Sequence, residues 1–317
     1  MLQQVLGNLD KITPDMLEAL NGQFQTIIES DIQAQAAADA AEPPWYVDLV
    51  EDVPTLDLAA AIEILTAPLT LLKWDTDRVA QNLAKQLVLI VLETLECSVG
   101  IDRNHILYAS KRLQLPRVLQ GITQVEENYK LDHIGDLVVN GYKNEAAYLG
   151  FDGAPVFSDS HPIDKKFVAT GKQKNYYSDL DLNGDNVTAV EAAMRQFKGQ
   201  NGRPMKVRPK KLYHSHDLTA QAKQVCDVDR LANGASNPNY GKFKRVPLEG
   251  VDTTNTWCLA DPNYALKLAG FLHAIKTAFR WIVMPGQEKR QGLWGYDEDA
   301  KIAPFSWYQI VRCVHTP

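Results

Sequence analysis

The stretch from Pro116 to Lys143 constrains the fold most. Behind a proline suited to a first helical position, Val118, Ile122, Val125, Tyr129, Ile134, Val138 and Gly141 fall on one helical face. At 1.5 Å per residue such a helix spans about 40 Å, long enough to act as a backbone against which a sheet packs. The strand-like runs that could supply that sheet are scattered: Leu87 to Leu92, Leu212-Tyr213, Phe243 to Val246, Trp257 to Leu259 and Trp307 to Val314. Short helices are expected between them, from Thr188 to Lys198 with Gly199 as the stop, and from an Asp217 cap through Val225. No regular strand–helix–strand alternation and no internal repeat is visible, so the fold class is α+β.

The N-terminus reads differently. Thr13-Pro14-Asp15 is a helix start, followed by Met16, Leu17, Leu20, Phe24, Ile27 and Ile28 at helical spacing. An alanine-rich polar stretch follows, and Pro43-Pro44 stops the helix. Residues 1–52 hold ten acids and one base, Lys11, so an acidic arm precedes a near-neutral body. The arm has one apolar stripe and no partner nearby in sequence. It is expected to pack between subunits, with its Ala-rich tail and prolines holding it away from its own body. Residues 47–100 suggest a long excursion bounded by strands, although AAAIEILTAPLTLL also suits a helix. Residues 148–186 are dense in Asp, Gly, Asn, Pro and Ser and read as loops.

Composition excludes several classes. At 317 residues with 45% hydrophobic content the chain is globular, and its net charge of −6 does not suit gripping nucleic acid over its whole surface. Cys97, Cys226, Cys258 and Cys313 form no CxxC pair and no zinc-finger spacing, which suits free thiols. The N-terminus lacks a signal-peptide pattern, and the apolar stretch Ala265 to Met284 contains Lys267, His273, Lys276 and Arg280. A soluble, intracellular protein without membrane contact is the expectation.

Candidate chemistry is thin. Asp179-x-Asp181-x-Asn183-Gly184 begins like a calcium loop, but Val190 stands at the twelfth position that needs a bidentate Glu. An Asx-rich turn entering the next helix explains these residues more simply. His214 and His216 would share one face of a strand, as metal ligands can, but no third ligand is near and Asp217 serves better as a helix cap. Ser158, Asp159, Ser160 and His161 suggest a hydrolase cluster, yet no GxSxG anchors a nucleophile. No GxGxxG follows a strand and no Walker sequence occurs. Lys198 to Lys211 carries six basic residues, no acid and no aromatic, which suits either a phosphate-touching patch or a solvated loop. No catalytic, cofactor-binding or metal-ligating residue is therefore assigned.

From residue 98 onward a family resemblance emerges. Ser98-Val99-Gly100-Ile101-Asp102-Arg103 precedes the long helix, and Asp152-Gly153, Phe157 and His161-Pro162 follow it. Downstream come Ala192 to Phe197, Asn201-Gly202-Arg203-Pro204, Arg208 to Leu212, Asn237-Pro238-x-x-Gly241 and Trp257 to Pro262. This order resembles the major head (capsid) proteins of Mu-like tailed phages, over roughly residues 12–20 and 95–317. Tyr213-His214-Ser215-His216 departs from it, since the family often has apolar residues there.

The resemblance implies an HK-97 type capsid fold. Its parts would be an N-terminal arm (1–46), an extended loop (47–97), a peripheral domain with the spine helix (98–186 and 291–317) and an axial domain (187–290). It also implies a virion shell subunit, assembled in the host cytoplasm as hexamers and pentamers around double-stranded DNA without sequence-specific binding. Scaffolding, portal and decoration proteins are the further partners it suggests. Two rival expectations are an encapsulin-like nanocompartment shell and a soluble metal-dependent hydrolase using His214, His216 and Asp217.

Overall fold

The fold is taken from a computed structural model that describes residues 14–55, 59–65, 85–102, 124–163, 171–274, 280–282 and 291–316. Helix α1, Pro14–Ala41, stops ahead of Pro43-Pro44 as its sequence requires. Strands β1 (Val50–Pro54), β2 (Ala59–Leu65), β3 (Lys85–Val91) and β4 (Glu93–Asp102) follow. AAAIEIL is thus strand, not helix; the rest of that run lies outside the described residues.

The spine helix α2 runs Val125–Asn140. This is shorter than the expected 116–143: Gln124 is its N-cap, residues 116–123 lie outside the described residues, and the helix ends at Gly141, whose N–H returns to the Leu137 carbonyl. A Cβ at Gly141 would lie 2.3 Å from that carbonyl oxygen and 2.7 Å from Val156, so the close approach of the next loop demands glycine here. Two-residue strands β5 (His161–Pro162), β6 (Lys172–Gln173) and β7 (Tyr176–Tyr177) interrupt the loop-rich segment.

Helix α3, Gly184–Arg195, starts four residues before the expected Thr188, because Asn183 caps it by accepting the Asn186 N–H. Then come β8 (Lys211–His214), α4 (Thr219–Cys226), β9 (Lys244–Pro247), β10 (Thr256–Ala260), β11 (Ala269–His273), β12 (Arg280–Ile282), β13 (Gln291–Pro304) and β14 (Ile310–Val314). Asp217 does not cap α4: it lies in the 3-10 turn His216–Leu218 and accepts the Asn255 N–H at 2.8 Å.

Two five-stranded sheets organise the chain. In the first, β13 is the trunk: β4 pairs along one edge over Glu93 to Asp102, while β11 and β12 pair along its other edge and β1 adds in parallel to β11. The second has the order β7-β14-β10-β8-β9. Every residue of β10 is buried, as a central strand covered on both faces must be. Strands β2 and β3 form a separate two-stranded ribbon.

Pairing cuts across the expected domain boundaries. Strand β11, within 187–290, joins the first sheet, and β14, within 291–317, joins the second.

Helix α2 bridges both sheets. Near its start the Lys130 ammonium lies 4.5 Å from the Phe271 ring centroid of β11, and near its end the Val138 carbonyl accepts the Arg312 Nε–H of β14 at 2.8 Å. Ile134, Leu137 and Val138 are buried between.

The arm departs from expectation. Phe24 and Ile28 are buried by their own chain, with Phe24 edge-on to Trp294 at 5.2 Å and Trp294 Nε1 donating to Asn21 Oδ1 at 2.8 Å. An apolar stripe seeks the nearest apolar surface, and β13 supplies it. Residues 45–49 are likewise held in the body: Trp45 Nε1 donates to the Glu249 carbonyl at 2.9 Å, Tyr46 donates to Glu127, and Lys211 pairs with Asp48.

Candidate assembly surfaces

Strand β3 alternates. Ile90 is buried and Val88 packs against the core, while Leu87, Leu89 and Val91 are 65%, 69% and 58% exposed. Period-two alternation ordinarily puts polar residues on the outer face; here both faces are apolar. A ribbon with one face against the core and three bare aliphatic side chains on the other is suited to a protein surface.

The described residues offer chemistry little. The suspected hydrolase cluster dissolves: His161 is fully buried, its Nδ1 2.7 Å from the Asp152 carboxylate and its Nε2 2.9 Å from Asn175 Oδ1. The ring stacks on Trp307 at 4.1 Å, and Trp307 Nε1 donates to the same carboxylate at 3.1 Å. Asn175 in turn accepts the Ser158 N–H and donates to the Val156 carbonyl, each at 2.8 Å. Neither Ser158 nor Ser160 offers its hydroxyl to His161. The arrangement is a pin that joins Asp152, His161 and Asn175 to the turn before β14. The Asp152-Gly153 and His161-Pro162 motifs marked its two ends, but their meeting with Asn175 and Trp307 was beyond sequence reasoning.

The histidine pair separates. His214 is buried, its Nδ1 2.8 Å from the Ser215 carbonyl, and burial lowers its pKa; His216 leaves the strand and is exposed. The two do not share a face. Asp179 and Asp181 serve the C-terminus, accepting from the Thr316 hydroxyl and backbone N–H. Among the described residues no group of three or more His, Cys, Asp or Glu is placed to hold a metal ion. Burial pushes the Cys226 thiol up to about 11 and Cys258 to about 12, so both stay protonated and unreactive. Among the described residues no helix is long and apolar enough to cross a membrane.

An ion cluster ties α3 to the loop before β9. The Glu191 carboxylate, 4% exposed, holds Arg195 at 2.7 Å and also pairs with Lys242. Burial alone would raise its pKa, but the two cations outweigh this and lower it. A cavity of about 180 Å³ lies under α2, lined by Cys97, Tyr129, Phe271 and Tyr296 among others.

Known proteins share parts of this two-sheet body. The family profile of the Mu-like prophage major head subunit gpT matches residues 169–249, the segment that carries the pin's Asn175, helix α3 and strands β8 and β9. No curated protein sequence matches the chain. The fold is similar to that in the procapsid of bacteriophage JBD30, with TM-score 0.55 and 15% identity over 96% of this chain and 77% of that one. It is also similar to a structure from Mycobacterium phage Patience, with TM-score 0.50 and 12% identity over 98% and 92% of the two chains. The fold is thus that of HK-97 type capsid proteins. The likeness to these structures shows the fold, and the profile match sets a Mu-like head-subunit signature over residues 169–249, about a quarter of the chain.

Proposed function

We propose that this subunit assembles as hexamers and pentamers into a closed icosahedral shell around double-stranded DNA, and that its role is structural, without enzymatic activity. The observation that carries this reading is the bare apolar face of β3. Leu87, Leu89 and Val91 have no cover within the described chain, and burying such side chains is worth about 1.5–3 kcal/mol each. Repeated over many copies, that surface drives closure of a lattice.

In this reading the second sheet, with α3 and α4, forms the unit that meets its copies at the centre of each capsomer. The first sheet, α2 and the ribbon form the perimeter. Scaffolding, portal and decoration proteins are the natural further partners of such a shell.

The test is microscopy of the purified chain and of the variant L87S/L89S/V91S. Wild type is expected to give rings or closed shells, and the variant folded subunits that do not close. A wild type that stays monomeric at high concentration, with and without other head proteins, would overturn the proposal. Shells filled with a cargo enzyme instead of DNA would redirect it to a nanocompartment.

A further inference from the structure

The segment Met205 to Lys210 alternates in burial. Met205, Val207 and Pro209 are buried, while Lys206, Arg208 and Lys210 stand in solvent. Lys206 does so from a left-handed backbone, φ 60, which lysine seldom adopts. Lys244 joins the strip, its N–H donating to the Lys210 carbonyl at 2.8 Å, and is also exposed. Exposed Lys198 lies beside exposed Lys172 through Gln173, whose side chain accepts the Lys198 N–H at 2.6 Å.

Other bases of this region have carboxylates: Lys211 has Asp48, Lys242 and Arg195 have Glu191, and Arg245 has Asp227. The six exposed cations pair with no carboxylate among the described residues. The nearest acid in the bonding pattern, Asp261, is 6% exposed and spends one oxygen on the Arg208 backbone N–H at 2.8 Å. The strip is thus an uncompensated cationic surface on a chain of net charge −6.

We propose that this strip is a contact for the phosphate backbone of double-stranded DNA on the wall of the head. The proposal rests on the shell reading above. Phosphate is the favoured contact because residues 198–211 include no aromatic side chain to stack on a base, and every exposed cation of the strip except Arg208 is a lysine, a point charge suited to phosphate. A neighbour's acidic surface would demand fixed geometry, whereas long exposed lysines suit a mobile polyanion held by counterion release. A few such contacts per subunit, on an otherwise acidic protein, let DNA be ordered against the wall and still leave it.

The experiment titrates the full chain, as purified capsomers or shells, with a duplex of about 30 base pairs between 50 and 200 mM salt. The variants are the neutral K206Q/R208Q/K210Q and the reversed K206E/R208E/K210E. Wild-type affinity is expected to fall linearly in log–log form with salt. The neutral variant should flatten that slope by about 3, at roughly 0.9 per phosphate contact, and bind at least about tenfold more weakly at 50 mM. The reversed variant should not bind. Both should assemble as wild type.

A wild type that forms shells but binds no duplex overturns the proposal, as does an unchanged slope in the neutral variant. Loss of shells in the neutral variant also overturns it, because the strip would then face another subunit. Duplex binding by a wild type that never forms shells would support the strip and count against the shell reading instead.

Discussion

The two sheets are built to opposite ends. The second closes on itself: β10 is buried throughout, Glu191 binds two cations, and the His161–Asp152–Asn175–Trp307 pin secures the loops beside β14. The first receives α1 on Trp294 and adjoins a ribbon whose Leu87, Leu89 and Val91 remain bare. One unit keeps its shape without help. The other leaves apolar side chains uncovered among the described residues. The profile match to the Mu-like head subunit, residues 169–249, falls in the unit built on the second sheet.

That contrast can be broken at its stiffest point. His161→Ala should strand two buried polar partners and cost about 3 kcal/mol or more of subunit stability. Chemical denaturation checks this, and a loss below about 1 kcal/mol would show that the pin does not hold the second unit.

A comparable but local effect is expected in the first unit. Phe24→Ala removes a nearly fully buried ring, for which about 3 kcal/mol is the usual scale, but the loss should appear as release of α1 and not as global unfolding. Hydrogen exchange distinguishes the two, with protection lost over 14–41 and kept over β10. Global loss would make the arm part of the core.

Glu191→Gln is the next step down, about 1–2 kcal/mol for a partly screened cluster. The sign of its pH dependence follows from a carboxyl pKa lowered by folding. The stabilisation is complete above the ordinary carboxylate value of 4.5 and drains away as pH falls below it, in the wild type alone. Thermal melts of both proteins between pH 7 and pH 3 should therefore converge in acid. Curves that stay parallel would remove the cluster from the account.

The smallest effect belongs to the ribbon. The triple serine change at Leu87, Leu89 and Val91 should shift isolated-subunit stability by less than about 0.5 kcal/mol, since these side chains are already in water. A large loss would mean that the ribbon folds back on its own body.

Local grammar was legible in the sequence. Proline stops, apolar spacing and alternating runs located α1, part of α2, β3, β8, β9 and β10, and the order of motifs pointed to the capsid fold. What escaped depends on distance along the chain. Trp294, which receives Phe24, stands 273 residues from Asn21, its hydrogen-bond partner, so nothing near the arm could announce that its stripe is covered at home. Helix α3 starts earlier than the expected Thr188 because Asn183, inside the Asx-rich run that reads as a turn, caps it. The pairing of β11 and β14 with opposite sheets follows from register, which apolar patterning alone does not specify.

One residue, Leu92, separates the ribbon strand β3 from β4, and β4 runs ten residues in register against β13. A pull on the ribbon along its length therefore loads that ladder in shear, where many hydrogen bonds must give way together instead of one after another as in peeling. Strand β13, about 45 Å of continuous extended chain, passes the tension on to β11 and β1. In the proposed shell, stressed from within, the subunit would act as a tie rod along this line.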